Sequence, residues 1–213
     1  MKTIQSSIFL ILFLSFTVKA QENDFQTWNT FSLNKELNKK TDISLTLGLR
    51  LRENATLYSK QFFDLNLKRD INKKVSLSSG YLYATNWDKE LNTSNKHRFY
   101  GAINYKNKFG ERFSYAIRNK WQTQGNMDGY KMTLRQKFSL AYNIPKTKLT
   151  PKIATEYFLN LEDGINKLRS TVGVSHPITK KLNFDLAYRI QQEFYVSNPE
   201  TLFIFEGKLS YDL

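Results

Sequence analysis

Hydrophobic and polar residues alternate along most of the chain that follows the first twenty residues. The pattern is clearest in residues 42–53, where an aliphatic residue occupies every second position from Ile43 to Leu51 and polar residues or glycine fill the gaps. A period of two points successive side chains to opposite faces of an extended strand. This segment therefore predicts a β-strand with one aliphatic face and one polar, cationic face.

Short basic turns recur at regular intervals between the alternating segments. Leu37–Lys40, Ile71–Lys74 and Ile178–Lys181 are near-copies of one another, and each is followed by an alternating strand. Longer loops rich in Asn, Asp, Gly and Ser lie halfway between these turns, as turn chemistry requires. The repeat unit is therefore an antiparallel hairpin, and the chain is predicted to be a meander of such hairpins.

Eleven alternating segments can be counted in the sequence. They are residues 25–36, 42–53, 60–70, 75–87, 97–106, 112–123, 130–143, 149–160, 168–177, 182–194 and 201–213. Bacterial single-chain barrels usually have an even number of strands. The strand number is therefore expected to be ten, if residues 25–36 are not part of the wall, or twelve, if a short strand has been overlooked.

Alternation alone fits either a soluble β-sandwich or a membrane β-barrel, and strand length favours the barrel. The segments run about 10 to 13 residues, whereas soluble strands cluster near 5–6 and a membrane-spanning strand needs about 9–11. Aromatic residues also lie near both strand ends, for example Trp87 and Trp121 beside long loops and Tyr105 and Tyr142 beside tight turns. We therefore predict an all-β fold, a closed antiparallel up-and-down transmembrane β-barrel of ten to twelve strands.

The first twenty residues have the pattern of a secretory signal peptide. Lys2 supplies positive charge, Ile8–Phe16 is a short apolar core, and Val18–Ala20 precedes the expected cleavage site. The apolar run is shorter than the roughly 20 residues that a membrane-spanning helix needs. We predict a signal peptide over residues 1–20 and one barrel domain over residues 21–213, placed in the outer membrane after export.

The composition narrows the partners that the chain can have. The chain has no cysteine, which excludes disulfides and thiolate chemistry. Its formal net charge is +13. An exported chain rarely meets nucleic acid, so the positive charge is better explained by anionic outer-membrane lipids or by a charged interior. The sequence does not define the oligomeric state.

Charged residues in the middle of the strands share the parity of the polar face. The candidates for the lumen are Arg50, Arg52, Asp64, Arg98, Arg118, Arg135, Glu156, Arg169 and Arg189. Rings of arginine and lysine lower the barrier for negative solutes, so these residues could line a narrow pathway or pocket for anionic or amphiphilic solutes. The other interpretation, which the charges favour somewhat more, is a plug in which Asp64, Glu156, Asp185 and Glu193 pair with the arginines.

The sequence offers little for catalysis. His97 follows Ser94 and Asn95 at a loop–strand junction, which leaves a lipid-modifying enzyme with a rim site as an alternative. Such a site needs serine and histidine within hydrogen-bond reach, and no lipase motif flanks these residues. A structural or surface-interaction barrel is the third possibility. Two distant histidines without cysteine cannot build a typical transition-metal site, so we expect a non-enzymatic protein without cofactor or metal.

Diffuse motifs connect the sequence to a family. The last strand alternates up to its final residue and resembles the terminal strand through which Gram-negative outer-membrane barrels are recognised for assembly, although it ends in Leu213 rather than Phe and contains Gly207. The matching features along the chain are Trp28, the turn at 37–40, Arg50 with Arg52, His97-Arg98 and Glu156. On these features, residues 25–213 resemble an uncharacterised (domain-of-unknown-function) family of Gram-negative outer-membrane β-barrels. The resemblance implies architecture, location and the barrel-assembly machinery as a partner, but no activity.

Overall fold

The computed structural model describes residues 23–161 and 164–213, almost all of them in β-strands and the connections between strands. The predicted signal peptide, residues 1–20, lies outside the described residues. None of the described segments is a helix long and apolar enough to cross a membrane.

Eleven strands follow one another along the chain, and each predicted segment corresponds to one of them. Their bounds are β1 Asn23–Asn38, β2 Thr41–Arg52, β3 Leu57–Asp70, β4 Val75–Trp87, β5 Thr93–Phe109, β6 Phe113–Asn126, β7 Gly129–Tyr142, β8 Thr150–Asn160, β9 Gly164–Pro177, β10 Leu182–Glu193 and β11 Thr201–Asp212. Each strand pairs with its neighbours in sequence, and β1 pairs with β11 to close a barrel. The predicted closed up-and-down β-barrel is confirmed.

The barrel closes through a parallel strand pair. Ten of the eleven strand pairs are antiparallel, but β1 runs parallel to β11, from Asn23 opposite Thr201 to Asn34 opposite Asp212. An odd number of strands in a meander leaves the first and last strands pointing the same way, and a parallel ladder then satisfies both edges. The eleven strands lie within the predicted range of ten to twelve, and the number is odd because residues 25–36 are a wall strand and no twelfth strand occurs among the described residues.

The connections at the two ends of the barrel are similar in length, two to seven residues each, and the rims are named below after the predicted tight turns and longer loops. One end, here called the tight-turn rim, carries the connections 39–40, 71–74, 110–112, 143–149 and 178–181. The other end, the long-loop rim, includes the connections 53–56, 88–92 and 194–200. Because the first and last strands are parallel, β1 begins at the long-loop rim and β11 ends at the tight-turn rim.

The outer face of the wall is apolar. Leu45 and Leu47 of the aliphatic stripe in β2 remain 38% and 52% exposed, so the stripe faces away from the interior, as predicted. Aromatic rings pack on the same face at both ends. Tyr58 lies 6.0 Å from Trp87 near the long-loop rim, and Phe113 lies 4.9 Å from Phe109 near the tight-turn rim.

The interior is formed by the other face of the strands. Its side chains are polar or charged for the most part, and many of them are buried. At the seam between β1 and β11, Trp28, Leu202 and Ile204 form an apolar cluster in which no side chain exceeds 7% exposure. Side chains from the inner face therefore occupy part of the middle of the barrel.

Candidate functional site

Strand register brings all nine predicted site residues to the inner face of the wall. Trp28 is opposite Arg50, and Glu156 is opposite Arg169 on one side and Lys137 on the other. Because side chains alternate between faces, residues that are directly opposite share a face. Six arginines meet in the middle of the barrel and are called the arginine cluster below. They are Arg50, Arg98, Arg118, Arg135, Arg169 and Arg189.

Glu156 is the central carboxylate of the arginine cluster. Its side chain is only 4% exposed and lies within 2.7 Å of Arg118, 2.8 Å of Arg135 and 3.4 Å of Arg169. Arg135 and Arg169 are each 11% exposed, so these charges are largely removed from bulk water. Buried charges must be paired, and one carboxylate here pairs with three guanidinium groups.

Two glutamines complete the hydrogen bonding of the arginines around Glu156. Arg135 donates to Gln122 Oε1 at 3.1 Å, and Arg169 donates to Gln191 Oε1 at 2.6 Å. Both guanidinium groups also lie over the ring of Phe158, at 4.4 and 4.9 Å from its centre. The amides and the ring fix the positions of the two arginines without adding negative charge.

Trp28 is a second centre that the sequence interpretation missed. Arg50 lies over its indole ring at 3.6 Å, Arg169 at 5.1 Å and Arg189 at 6.0 Å. Arg189 also forms an ion pair with Glu206. Trp28 was noted only as part of a family resemblance, yet it shares its parity with Gln26 and Ser32 on the polar face of β1. A tryptophan on a polar face was the signal that could have identified it.

Asp64 does not form an ion pair with an arginine of the described residues, contrary to the plug alternative. Arg98 donates to Gln124 Oε1 at 2.7 Å, whereas Asp64 accepts the hydroxyl of Tyr100 at 2.7 Å. Lys120 lies 3.3 Å from the centre of the Tyr100 ring and is only 9% exposed. Asp64 is therefore hydrogen-bonded to a phenol hydroxyl, and Arg98 is hydrogen-bonded to a side-chain amide.

Asp185 and Glu193 were predicted to pair with arginines, and this prediction is wrong. Asp185 pairs with Lys152 at 2.5 Å, and Glu193 pairs with Lys167 at 2.6 Å. Lys167 is directly opposite Glu193 on the neighbouring strand β9, whereas Lys152 reaches Asp185 from β8, on the far side of β9. The four residues therefore neutralise one another outside the arginine cluster.

Arg52 lies apart from the arginine cluster, at the end of β2 nearest the long-loop rim. Its Nε and Nη2 atoms are buried and have no hydrogen-bond partner among the described residues. It is therefore another cation on the inner face, and no ion pair joins it to a carboxylate of the described residues.

Positive charge exceeds negative charge in the middle of the barrel. Besides the six arginines, Lys60, Lys120 and Lys137 lie on this section of the inner face, and the carboxylates there are Asp64, Glu156 and Glu206. Lys60, like Lys120, is 9% exposed. This section thus contains nine cations and three carboxylates. Ion pairs within the section cannot neutralise all of the positive charges.

An open cavity connects this section to the tight-turn rim. Its volume is about 730 Å³, and its walls include hydroxyl and amide side chains such as Ser44, Asn66 and Ser78. Arg118 and Lys120 line its inner end, while Lys73 lines its mouth. This cavity is called the vestibule below. Arg118 is the member of the arginine cluster that lines the vestibule, and the middle section of the barrel that contains the cluster is called the constriction below.

His97 lies on the opposite side of the wall from this constriction. Its Nδ1 is joined to the hydroxyl of Tyr81 by a hydrogen bond of 2.7 Å, and its ring lies 5.2 Å from that of Tyr83. Ser94 is three residues away in the same strand and therefore faces the interior. The structure does not bring these two residues together as a serine–histidine pair. Among the described residues, no group of three or more His, Asp or Glu side chains could hold a metal ion.

Comparisons with known proteins agree with this architecture. A sequence model of the family described as "Protein of unknown function (DUF2490)" matches residues 25–201. Among solved structures, the "KdgM porin" is similar with a TM-score of 0.51 at 11% identity, covering 75% of this chain and 81% of the porin. The "NanC porin" structure is similar with a TM-score of 0.50 at 10% identity, covering 78% of this chain and 86% of that porin.

A further solved structure is less similar. The "CymD monoaromatic hydrocarbon channel" has a TM-score of 0.42 at 8% identity, covering 76% of this chain and 66% of that channel. No curated protein matches the sequence. The similarity to the two porins supports the fold of this chain, a closed β-barrel.

Proposed function

Because the chain belongs to the DUF2490 family of proteins of unknown function, its family supplies no activity, and we propose from its interior that it is a narrow anion-selective channel. Solutes would pass between the vestibule and the long-loop rim through the arginine cluster. The proposed function is non-enzymatic, and no cofactor is needed for it.

The excess of cations in the constriction carries this proposal. Nine cations and three carboxylates lie in the middle section, and Glu156 already forms ion pairs with three arginines. Removing charges from water is costly unless counter-charges are present, so this section favours solutes that bring negative charge with them. Rings of arginine and lysine lower the barrier for anions and raise it for cations.

Aromatic rings between the arginines favour anions that also carry apolar surface. Trp28 and Phe158 contact guanidinium groups inside the constriction, and Phe62 lies 5.5 Å from Arg50. The ring of Phe62 is folded over Gly48, where a Cβ atom would lie only 2.2 Å from it. A solute that contacts both a guanidinium edge and a ring face would match this lining, which supports amphiphilic anions as a solute class.

The test is the anion-to-cation permeability ratio of the purified protein in planar bilayers under a potassium chloride gradient. We expect the reversal potential to show anion preference, and we expect Arg98→Gln to lower the permeability ratio by at least about twofold, because it removes one charge from the constriction. Arg69→Gln is the matched control, since Arg69 is exposed on the outer face of β3 and should leave the ratio unchanged. Cation preference in the unmodified protein, or equal effects of the two variants, would contradict the proposal.

A further inference from the structure

The tight-turn rim carries a dense ring of positive charge that the interior does not explain. Its five connections contain nine cations and one acidic residue, Glu111. The cations, called the basic collar below, are Lys39, Lys40, Lys73, Lys74, Arg112, Lys146, Lys148, Lys180 and Lys181. Every connection at this rim contributes at least one of them, so the ring of charge follows the whole circumference.

The side chains of the basic collar are exposed and unpaired. All nine residues are exposed, and none of them forms an ion pair with a carboxylate among the described residues. The lysines that do form ion pairs belong to the strands or to the opposite rim, as Lys68 and Lys89 illustrate. The charge of the collar is therefore available to a partner outside the barrel wall.

The local turn chemistry holds the paired lysines outward. Asn38 Oδ1 accepts the amide of Lys40 at 3.0 Å, and Asn72 Oδ1 accepts the amide of Lys74 at 2.8 Å. In the third copy of the turn, the hydroxyl of Thr179 accepts the amide of Lys181 at 3.2 Å. In each turn, the side chain before the lysine pair accepts a hydrogen bond from the backbone amide of the second lysine. The lysine side chains take no part in this hydrogen bond.

The collar lies directly beside a girdle of outward-facing aromatic rings. Phe113 packs against Tyr142 at 4.8 Å, and the ammonium group of Lys181 lies 6.0 Å from the ring of Tyr211. Aromatic girdles occupy the interface between the hydrocarbon layer and the head groups of a membrane. The collar, which is one step further from the barrel middle, is therefore at the depth of the lipid head groups.

The opposite rim has the opposite charge. The connections 53–56, 88–92, 127–128 and 194–200 contain one cation, Lys89, and several acidic residues. These acidic residues are Glu53, Asp88, Glu90, Asp128 and Glu200. The basic collar is therefore specific to one rim and is not a general property of the connections of this basic chain.

We propose that the basic collar binds the head groups of anionic phospholipids in the membrane leaflet that meets the tight-turn rim. Exposed lysines at head-group depth attract anionic lipids, and their long side chains can reach the phosphate while their stems stay against the apolar belt. The proposal concerns the outside of the wall and does not depend on the channel.

Spin-labelled phosphatidylglycerol and phosphatidylcholine, added to phosphatidylcholine vesicles that contain the protein, measure this preference as the ratio of motionally restricted lipid. We expect phosphatidylglycerol to be enriched at least about twofold and the enrichment to fall at about 1 M salt, because salt screens exposed charges. The enrichment should be lost in a sextuple variant in which six lysines of the collar are replaced with glutamine. The substitutions are Lys39→Gln, Lys40→Gln, Lys73→Gln, Lys74→Gln, Lys180→Gln and Lys181→Gln.

The matched control replaces the same six lysines with arginine and should keep the enrichment, since it keeps the charge. Heat-modifiable gel migration confirms that each variant is folded, and the three lysine pairs can be changed one pair at a time if the sextuple variant fails to fold. Equal association of the two lipids with the unmodified protein, or full enrichment in the folded glutamine variant, would overturn the proposal. The quadruple variant Lys39→Gln, Lys40→Gln, Lys180→Gln and Lys181→Gln, which keeps Lys73 and Lys74 at the mouth of the vestibule, should lose enrichment but keep the channel selectivity, and this separates the test from that of the proposed function.

Discussion

Replacing Glu156 with glutamine is expected to lower the free energy of unfolding by about 3–5 kcal/mol, because one change leaves three guanidinium groups, two of them largely buried, without their carboxylate. The three arginines lie within 2.7 to 3.4 Å of Glu156, and no other described carboxylate is close enough to replace it in an ion pair with them. Urea titration of the protein in vesicles, followed by tryptophan fluorescence, measures this change.

Glu193→Gln is the matched control for this prediction. Glu193 pairs with one lysine, Lys167, and its side chain is 21% exposed, compared with 4% for Glu156. Partly exposed single ion pairs contribute about 0–1 kcal/mol, so the control should shift the unfolding midpoint little. If Glu156→Gln were as mild as the control, Glu156 would not be the centre of the arginine cluster.

Replacing Trp28 with alanine is expected to raise the single-channel conductance by at least about twofold, because it removes the largest side chain from the constriction and leaves a cavity that the barrel wall cannot close. The indole is 5% exposed and carries Arg50 on its ring at 3.6 Å. Loss of this contact should also make Arg50 more mobile. Planar-bilayer recordings of single channels provide the measurement.

Trp121→Ala is the appropriate comparison, since Trp121 is 40% exposed on the outer face of β6. Its loss removes the same side chain from the lipid-facing side and should leave the conductance unchanged. A Trp28→Ala variant with unchanged conductance would mean that the path for solutes does not pass this tryptophan.

The alternation of residues in the sequence was sufficient to predict the fold and the face on which the charged residues lie. Each predicted segment became a strand, and Arg50, Arg135 and Glu156 share the inner face because parity is a local property of each strand. The strands are longer than predicted in places. For example, β5 spans Thr93–Phe109 instead of residues 97–106, because the hairpin ladder continues beyond the segment whose side chains alternate.

The pairing of the charged side chains could not be predicted, because it depends on strand register and on how the barrel closes. The parallel pairing of β1 with β11 places Trp28 opposite Glu206, near Arg189. No local pattern indicates that a strand at the start of the chain will meet one at its end in parallel. Without the register, the sequence also could not show that Asp185 and Glu193 pair with lysines and not with arginines.

The central claim is that the interior is a water-filled path whose charge favours anions, and reaction rates of single cysteines measure this most directly. The natural chain has no cysteine, so there is no background reaction. Ser78→Cys places a thiol in the wall of the vestibule, and Thr133→Cys places one on the inner face of β7, two residues from Arg135 towards the long-loop rim. Anionic and cationic thiosulfonate reagents of similar size are then compared at both positions.

We expect the anionic reagent to react at least about tenfold faster than the cationic one at both positions, because a local positive potential concentrates anions and excludes cations. Cysteines at both positions that react equally fast with the two reagents would contradict the electrostatic account. A Thr133→Cys thiol that neither reagent reaches, in a folded protein, would contradict the existence of a path past the arginine cluster.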